Sequence, residues 1–225
     1  MNGRPYRGAH TVTIPEVNLY MPDWIANPKI EYVLLVAAVL FGARFAFKRY
    51  RSKAAKSAAE TAESLLIAVV LVFLVIRPFL IQAFFIPSGS MIPTLLVRDH
   101  ILVNKFVYRF QEPRYGDIIV FRAPPAASPD EKDFIKRLIG KEGDTIEIKE
   151  AAVYRNGKPL EEGYVAEPPV YEMAPITVPE DSFFVMGDNR NNSQDSHAWG
   201  ALARDRVIGK AMVRFWPLNR LGLLH

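Results

Sequence analysis

The chain has no cysteine, which excludes thiol nucleophiles, disulfides and cysteine-ligated metal together. It does not identify the compartment. Histidine is scarce as well: His10, His100, His197 and His225 lie far apart and show no metal-ligand spacing, so a metallopeptidase reading has no support. There is no internal repeat of fixed period and no low-complexity tract. Residues 1–29 contain no apolar core of the kind a cleaved signal peptide carries. Acidic residues are missing from one place in particular, the segment holding Arg44, Lys48, Arg49, Arg51, Lys53 and Lys56. Those six cations exceed the total charge of +4 and leave the rest of the chain at −2, so a basic nucleic-acid-binding domain is not expected.

Half of the 225 residues are apolar, and they are unevenly spread. Residues 30–47 form a mostly apolar run of about 18 positions, at the short limit for a helix that spans a bilayer. A second run, 64–86, is 23 residues long and is interrupted only by Arg77, Pro78 and Gln82. It is long enough to cross a hydrocarbon core of about 30 Å. Arg77 stands toward its far end, where a long side chain can snorkel to the interface. With two spans, the positive-inside rule places the basic segment in the cytoplasm. The expected plan is an extracytoplasmic tail (1–29), a first transmembrane helix (30–47), a basic cytoplasmic loop (48–63), a second transmembrane helix (64–86) and an extracytoplasmic domain (87–225). If the first run fails to span, the second still anchors the domain on the same side.

Beyond Pro87 the pattern changes to short β-rich segments punctuated by Gly, Pro and Asn, at 101–108, 117–122, 145–149, 182–186 and 206–216. Asn156-Gly157 between two such segments is a type I′ hairpin signal. No long amphipathic helical pattern competes, so the domain is expected to be mainly β. The proline-rich stretches 123–129 and 167–179 read as loops or extended arms.

Without cysteine or a well-placed histidine, attention turns to serines that a lysine could activate. Ser88 and Ser90 lie in Pro87-Ser88-Gly89-Ser90-Met91-Ile92-Pro93-Thr94-Leu95, an irregular segment directly after the second run. A lysine base must be neutral at working pH, and at pH 7 that requires a shift of about 3.4 units from the ordinary value near 10.4. Deep burial among apolar groups can supply such a shift. Strand alternation puts Phe134, Lys136 and Leu138 on one face, and equally puts Lys105 with Val103 and Val107. The pattern alone leaves Lys136 and Lys105 as rivals. A dense polar run, residues 187–196, follows an apolar strand; its spacing does not match a calcium-binding EF-hand loop, and it can either hold a catalytic amine in place or simply be a surface turn.

Taken together these segments resemble bacterial signal peptidase I, the leader peptidase family, over nearly everything from the second run to the C-terminus. The motifs that carry the resemblance are 87–95, Tyr-Gly-Asp-Ile-Ile-Val-Phe at 115–121, Phe-Ile-Lys-Arg-Leu-Ile-Gly with a following Gly-Asp at 134–144, and Met-Gly-Asp-Asn-Arg-Asn-Asn-Ser-Gln-Asp-Ser at 186–196. The resemblance implies an antiparallel β catalytic domain behind two membrane helices, Ser90 as nucleophile and Lys136 as its base. It further implies an oxyanion hole formed by the Ser88 hydroxyl with the Ser90 amide, Ser193 as the residue that orients the lysine, and Gly187, Asp188, Asn189 and Asp195 as the surrounding structural loop. Family members often carry Asp where Asn191 stands and Arg where His197 stands; that arginine pairs with the acid matched by Asp195. The implied activity is cleavage of secreted preproteins after an Ala-X-Ala pattern, at a bacterial inner membrane or a thylakoid membrane, with no metal or other cofactor. Secreted preproteins and the lipid bilayer are then the expected partners. The sequence leaves two alternatives open: a Ser-Lys peptidase dedicated to one substrate, such as a pilus subunit, and a non-catalytic β-domain tethered to the membrane.

Overall fold

The computed structural model describes residues 29–50, 52–76 and 81–225. Almost all of the expected N-terminal tail, and Arg77 and Pro78, lie outside them.

Among the described residues two helices come first, α1 (Ile30–Lys48) and α2 (Lys53–Val70), the second continuing as a π-helical turn over Leu71–Ile76. The helices pack against each other, with Val33, Ala55, Ala59 and Ala62 buried and Arg44 paired to Glu63 at 2.9 Å. Two expectations change here. Much of the basic segment 48–63 is helix rather than loop, because residues 53–63 are rich in alanine and other strong helix formers, and Ser52 caps their start by accepting from the Ala55 amide at 3.1 Å. Nor is 64–86 one helix: its end, Ile81–Phe85, is β1, paired antiparallel with β2. A short apolar run carries no periodicity that separates a strand from a buried helix. Among the described residues α1 alone is long and apolar enough, by length and composition, to cross a membrane.

The remainder is mainly antiparallel β. Its strands are β2 (His100–Asn104), β3 (Ile118–Arg122), β4 (Asp133–Lys141), β5 (Thr145–Lys149), β6 (Ala152–Arg155), β7 (Lys158–Pro159), β8 (Met173–Thr177), β9 (Ser182–Met186), β10 (Leu202–Ala203), β11 (Val207–Trp216) and β12 (Gly222–Leu223). A large sheet runs β1-β2-β11-β3-β4-β9-β10 with β12 beside β11, and a small one runs β7-β6-β5-β8. Asn156 and Gly157 both have positive φ, 54° and 75°, as the expected hairpin turn requires. The strand expected over 101–108 stops at Asn104, whose side-chain oxygen accepts from the Phe106 and Val107 amides at 2.8 and 2.9 Å and turns the chain aside.

β4 is central, between β3 and β9, and is covered on both faces. Ile135 joins a core with Met91, Leu95 and Ile101, while Phe134 and Leu138 pack on another with Phe121 and Phe183. Met91 and Leu95 are fully buried, and their anchoring fixes the turn that carries Ser90. The register Arg137 to Met186 brings the loop after β9 alongside Lys136.

Candidate functional site

Three chain segments meet at Ser90: the turn after β1, the middle of β4 and the loop after β9. Lys136 Nζ donates to Ser90 Oγ at 2.9 Å and to the Ile135 carbonyl at 3.0 Å. Both side chains are buried, Ser90 with 8% and Lys136 with 4% of its surface exposed. The amine lies 5.3 Å from the centre of the Phe134 ring. Lys136, rather than its rival Lys105, is therefore the lysine at the serine.

Burial pushes the Lys136 amine down to about 8, against the opposing pull of the Asp195 and Asp188 carboxylates. Asp188 is itself countered: Arg137 grips it with two bonds, Nε to Oδ1 at 2.8 Å and Nη2 to Oδ2 at 2.7 Å. Thr94 donates to the same carboxylate at 2.5 Å, tying the Ser90 turn to the loop. Asn189 adds two more ties, from its backbone amide to the Ser90 carbonyl at 3.1 Å and from its side chain to the Gly89 carbonyl at 3.0 Å.

Gly187 is where this packing is closest. A methyl group there would stand 2.3 Å from Ser193 Oγ and 2.4 Å from the Ser90 carbonyl oxygen, so only glycine fits. Its amide donates to Asp195 at 2.8 Å. Asp195 also caps the short helix α3 (Ser196–Trp199) and meets His197 Nδ1 at 2.6 Å. His197 thus makes the pair with Asp195 and stacks on Tyr171 with ring centres 4.4 Å apart. Asn191, the other departure from the family pattern, uses both ends of its amide: the oxygen accepts from the Val170 amide at 2.9 Å and the nitrogen donates to the Pro168 carbonyl at 3.0 Å. An aspartate could not make the second bond.

Ser88 and Ser193 stand differently from the rest. Ser88 Oγ lies 3.4 Å from Ser90 Oγ. Ser193 Oγ is buried against Gly187 and, among the described residues, makes no hydrogen bond to Lys136 or to any other group. Both donations from the amine go elsewhere, to Ser90 and to the Ile135 carbonyl.

Arg137, Glu162, Tyr164 and Arg190 complete the surroundings and were not foreseen. Arg137 was readable, as the neighbour of Lys136 inside a motif. Arg190 lies in the polar run, but its partner Glu162 is 28 residues away and no local pattern announces it.

A hydroxyl against a buried amine, in a wall of fixed polar groups, is the arrangement that nucleophilic chemistry by serine with a lysine base requires. In the family comparison, the model for "Signal peptidase, peptidase S26" matches residues 58–216. Among related proteins, signal peptidase I of Leptolyngbya laminosa is 52% identical over 153 residues, covering 66% of this chain and 75% of that one. Probable signal peptidase I-2 of Synechocystis sp. is 46% identical over 161 residues, 71% of this chain and 74% of its own length. Thylakoidal processing peptidase 1 of Arabidopsis thaliana is 38% identical over 160 residues, 68% of this chain and 47% of its own length. The chain belongs to the signal peptidase family, peptidase S26.

Proposed function

We propose that the protein is a membrane-bound endopeptidase that removes signal peptides from secreted preproteins after a small-residue, Ala-X-Ala pattern, with Ser90 as nucleophile and Lys136 as general base. The observation that carries this reading is the 2.9 Å contact from the buried Lys136 amine to Ser90 Oγ.

In this mechanism neutral Lys136 takes the Ser90 proton as the oxygen attacks the scissile carbonyl carbon. Negative charge gathers on the carbonyl oxygen, facing the Ser88 hydroxyl and the Ser90 backbone N–H. Lys136, now an ammonium, gives its proton to the leaving amine, and the C–N bond breaks. The same amine then takes a proton from water, which attacks the acyl-Ser90 ester; the C–Oγ bond breaks, the lysine returns that proton to Ser90 Oγ, and the cleaved signal peptide leaves. Ser193 offers an unpartnered hydroxyl in the same wall, available to orient the amine once Ser90 is acylated. Gly187, Asp188, Asn189 and Asp195 hold the three segments in register.

The anchor is α1 together with the apolar end of α2 and its π-helical turn. Leu34, Leu35, Val36, Val39, Phe41 and Phe45 are all exposed on α1, apolar surface that lipid would cover. The basic turn lies on the cytoplasmic side and the β domain on the other, at a bacterial inner membrane or a thylakoid membrane.

Detergent-solubilised protein is expected to cleave a preprotein whose signal peptide ends in Ala-X-Ala, and Ser90→Ala is expected not to. Cleavage by both would remove Ser90 from the mechanism. Cleavage by neither would favour a non-catalytic, tethered domain.

A further inference from the structure

We infer that Glu162, on the segment between β7 and β8, is a positioning residue for the Ser90 and Lys136 pair, acting through Arg190 on the Gly187 peptide. The inference rests on the Ser-Lys reading above and adds a residue outside every motif that led to it.

Arg190 is buried, with 1% of its surface exposed, and a guanidinium in such a place needs a partner. All three of its nitrogens are engaged. Nε donates to the Gly187 carbonyl at 3.1 Å, Nη2 to Glu162 Oε1 at 2.8 Å, and Nη1 to Glu162 Oε2. Glu162 therefore sets the plane of the guanidinium, and the plane sets where Nε points. Tyr164 steadies the acid in turn, donating to Glu162 Oε1 at 2.7 Å. Its ring lies 3.8 Å from the Arg137 guanidinium carbon and 5.9 Å from that of Arg190, joining the two arginines of the site.

Gly187 is thus held from both ends, by Asp195 at its N–H and by Arg190 at its C=O. Between those ends its α-carbon faces the Ser90 carbonyl and the Ser193 hydroxyl with no room to spare. A shift of Gly187 must displace one or both. Asn191 and the Tyr171–His197 stack fasten the same segment, near residues 168–171, to the loop after β9. Residues 162–171 are thus tied at several points to the loop after β9, and Glu162 is the charged clasp among those ties.

The test is steady-state cleavage of a preprotein by the full chain in detergent, with turnover expressed per folded molecule from near-ultraviolet circular dichroism. Glu162→Gln keeps the shape, removes the charge and turns one nitrogen donor against the arginine. Because misplacement by about an ångström can cost roughly a hundredfold, kcat is expected to fall roughly tenfold to a hundredfold. KM should stay within about twofold, since Glu162 acts through Arg190 on the Gly187 peptide. Glu162→Asp, which keeps the charge on a shorter stem, should fall between the two, and the exposed neighbour Glu161→Gln should match wild type. The losses from Glu162→Gln and Arg190→Lys should fail to add in the double variant, because they break one link. Wild-type kcat in Glu162→Gln, a loss confined to KM, or strictly additive losses would each overturn the inference. Should Glu162→Gln not fold, Glu162→Asp decides: reduced kcat at unchanged KM supports the clasp and wild-type turnover overturns it. Failure of the Ser-Lys reading shows separately, as cleavage by Ser90→Ala.

Discussion

At its ordinary value near 10.4, a lysine is neutral in about one molecule in 2,500 at pH 7. With the amine lowered to about 8, roughly one molecule in ten carries the free base at that pH. Burial achieves this at a cost to stability whose sign follows from linkage. Between about 8 and 10.5 the unfolded chain holds the lysine proton and the folded chain does not, so stability rises with pH across that window. Below pH 8 the whole penalty, about 3 kcal/mol, is present. Lys136→Met, similar in volume and apolar, should therefore be more stable than wild type in urea unfolding at pH 6, with the gap closing as pH approaches 10.5. A gap that does not change with pH would place the stabilisation elsewhere. The residue scale was also the most legible one: alternation set Lys136 between Phe134 and Leu138, and the resemblance of the surrounding motif resolved the tie with Lys105. Glu162 was illegible because its meaning depends on a partner 28 positions away that only folding brings near.

Among the elements, the pairing of β4 with β9 does most to assemble the site, since it places two acids of the polar loop beside a lysine and an arginine from adjacent positions of one strand. The Arg137–Asp188 pair is almost wholly buried, at 2% and 0% side-chain exposure. Removing one charge from such a pair leaves the other stranded, at a cost of about 3 to 5 kcal/mol. Asp188→Asn should thus lower the urea midpoint strongly, and an unchanged midpoint would mean the arginine finds compensation elsewhere. Strands announced themselves by β-branched runs and turn residues, as at Asn156-Gly157. Element identity was misjudged where composition misled: 53–63 drew attention by charge although its alanines favour helix, and 81–85 by hydropathy although it pairs with β2.

For the molecule as a whole, the proposed arrangement sets a Ser-Lys pair at the end of a membrane anchor, with the cation-rich turn on the opposite side of the bilayer. The absence of cysteine makes this directly measurable, because a single introduced cysteine has no background. In sealed inverted vesicles, an impermeant maleimide should label Ser57→Cys in α2 and should reach Glu161→Cys in the β domain only after detergent is added. Both positions are exposed on the folded chain. Labelling of Glu161→Cys in intact inverted vesicles would place the β domain in the cytoplasm and contradict the orientation. The central claim, proton transfer from the Ser90 hydroxyl to the Lys136 amine, is tested most directly by kcat/KM against pH for wild type and Lys136→Arg. Wild type should show an acid limb with a midpoint near 8, set by the buried amine, and Lys136→Arg, cationic throughout, should fail to cleave at any pH in the range. Cleavage by Lys136→Arg at the wild-type rate would contradict the account.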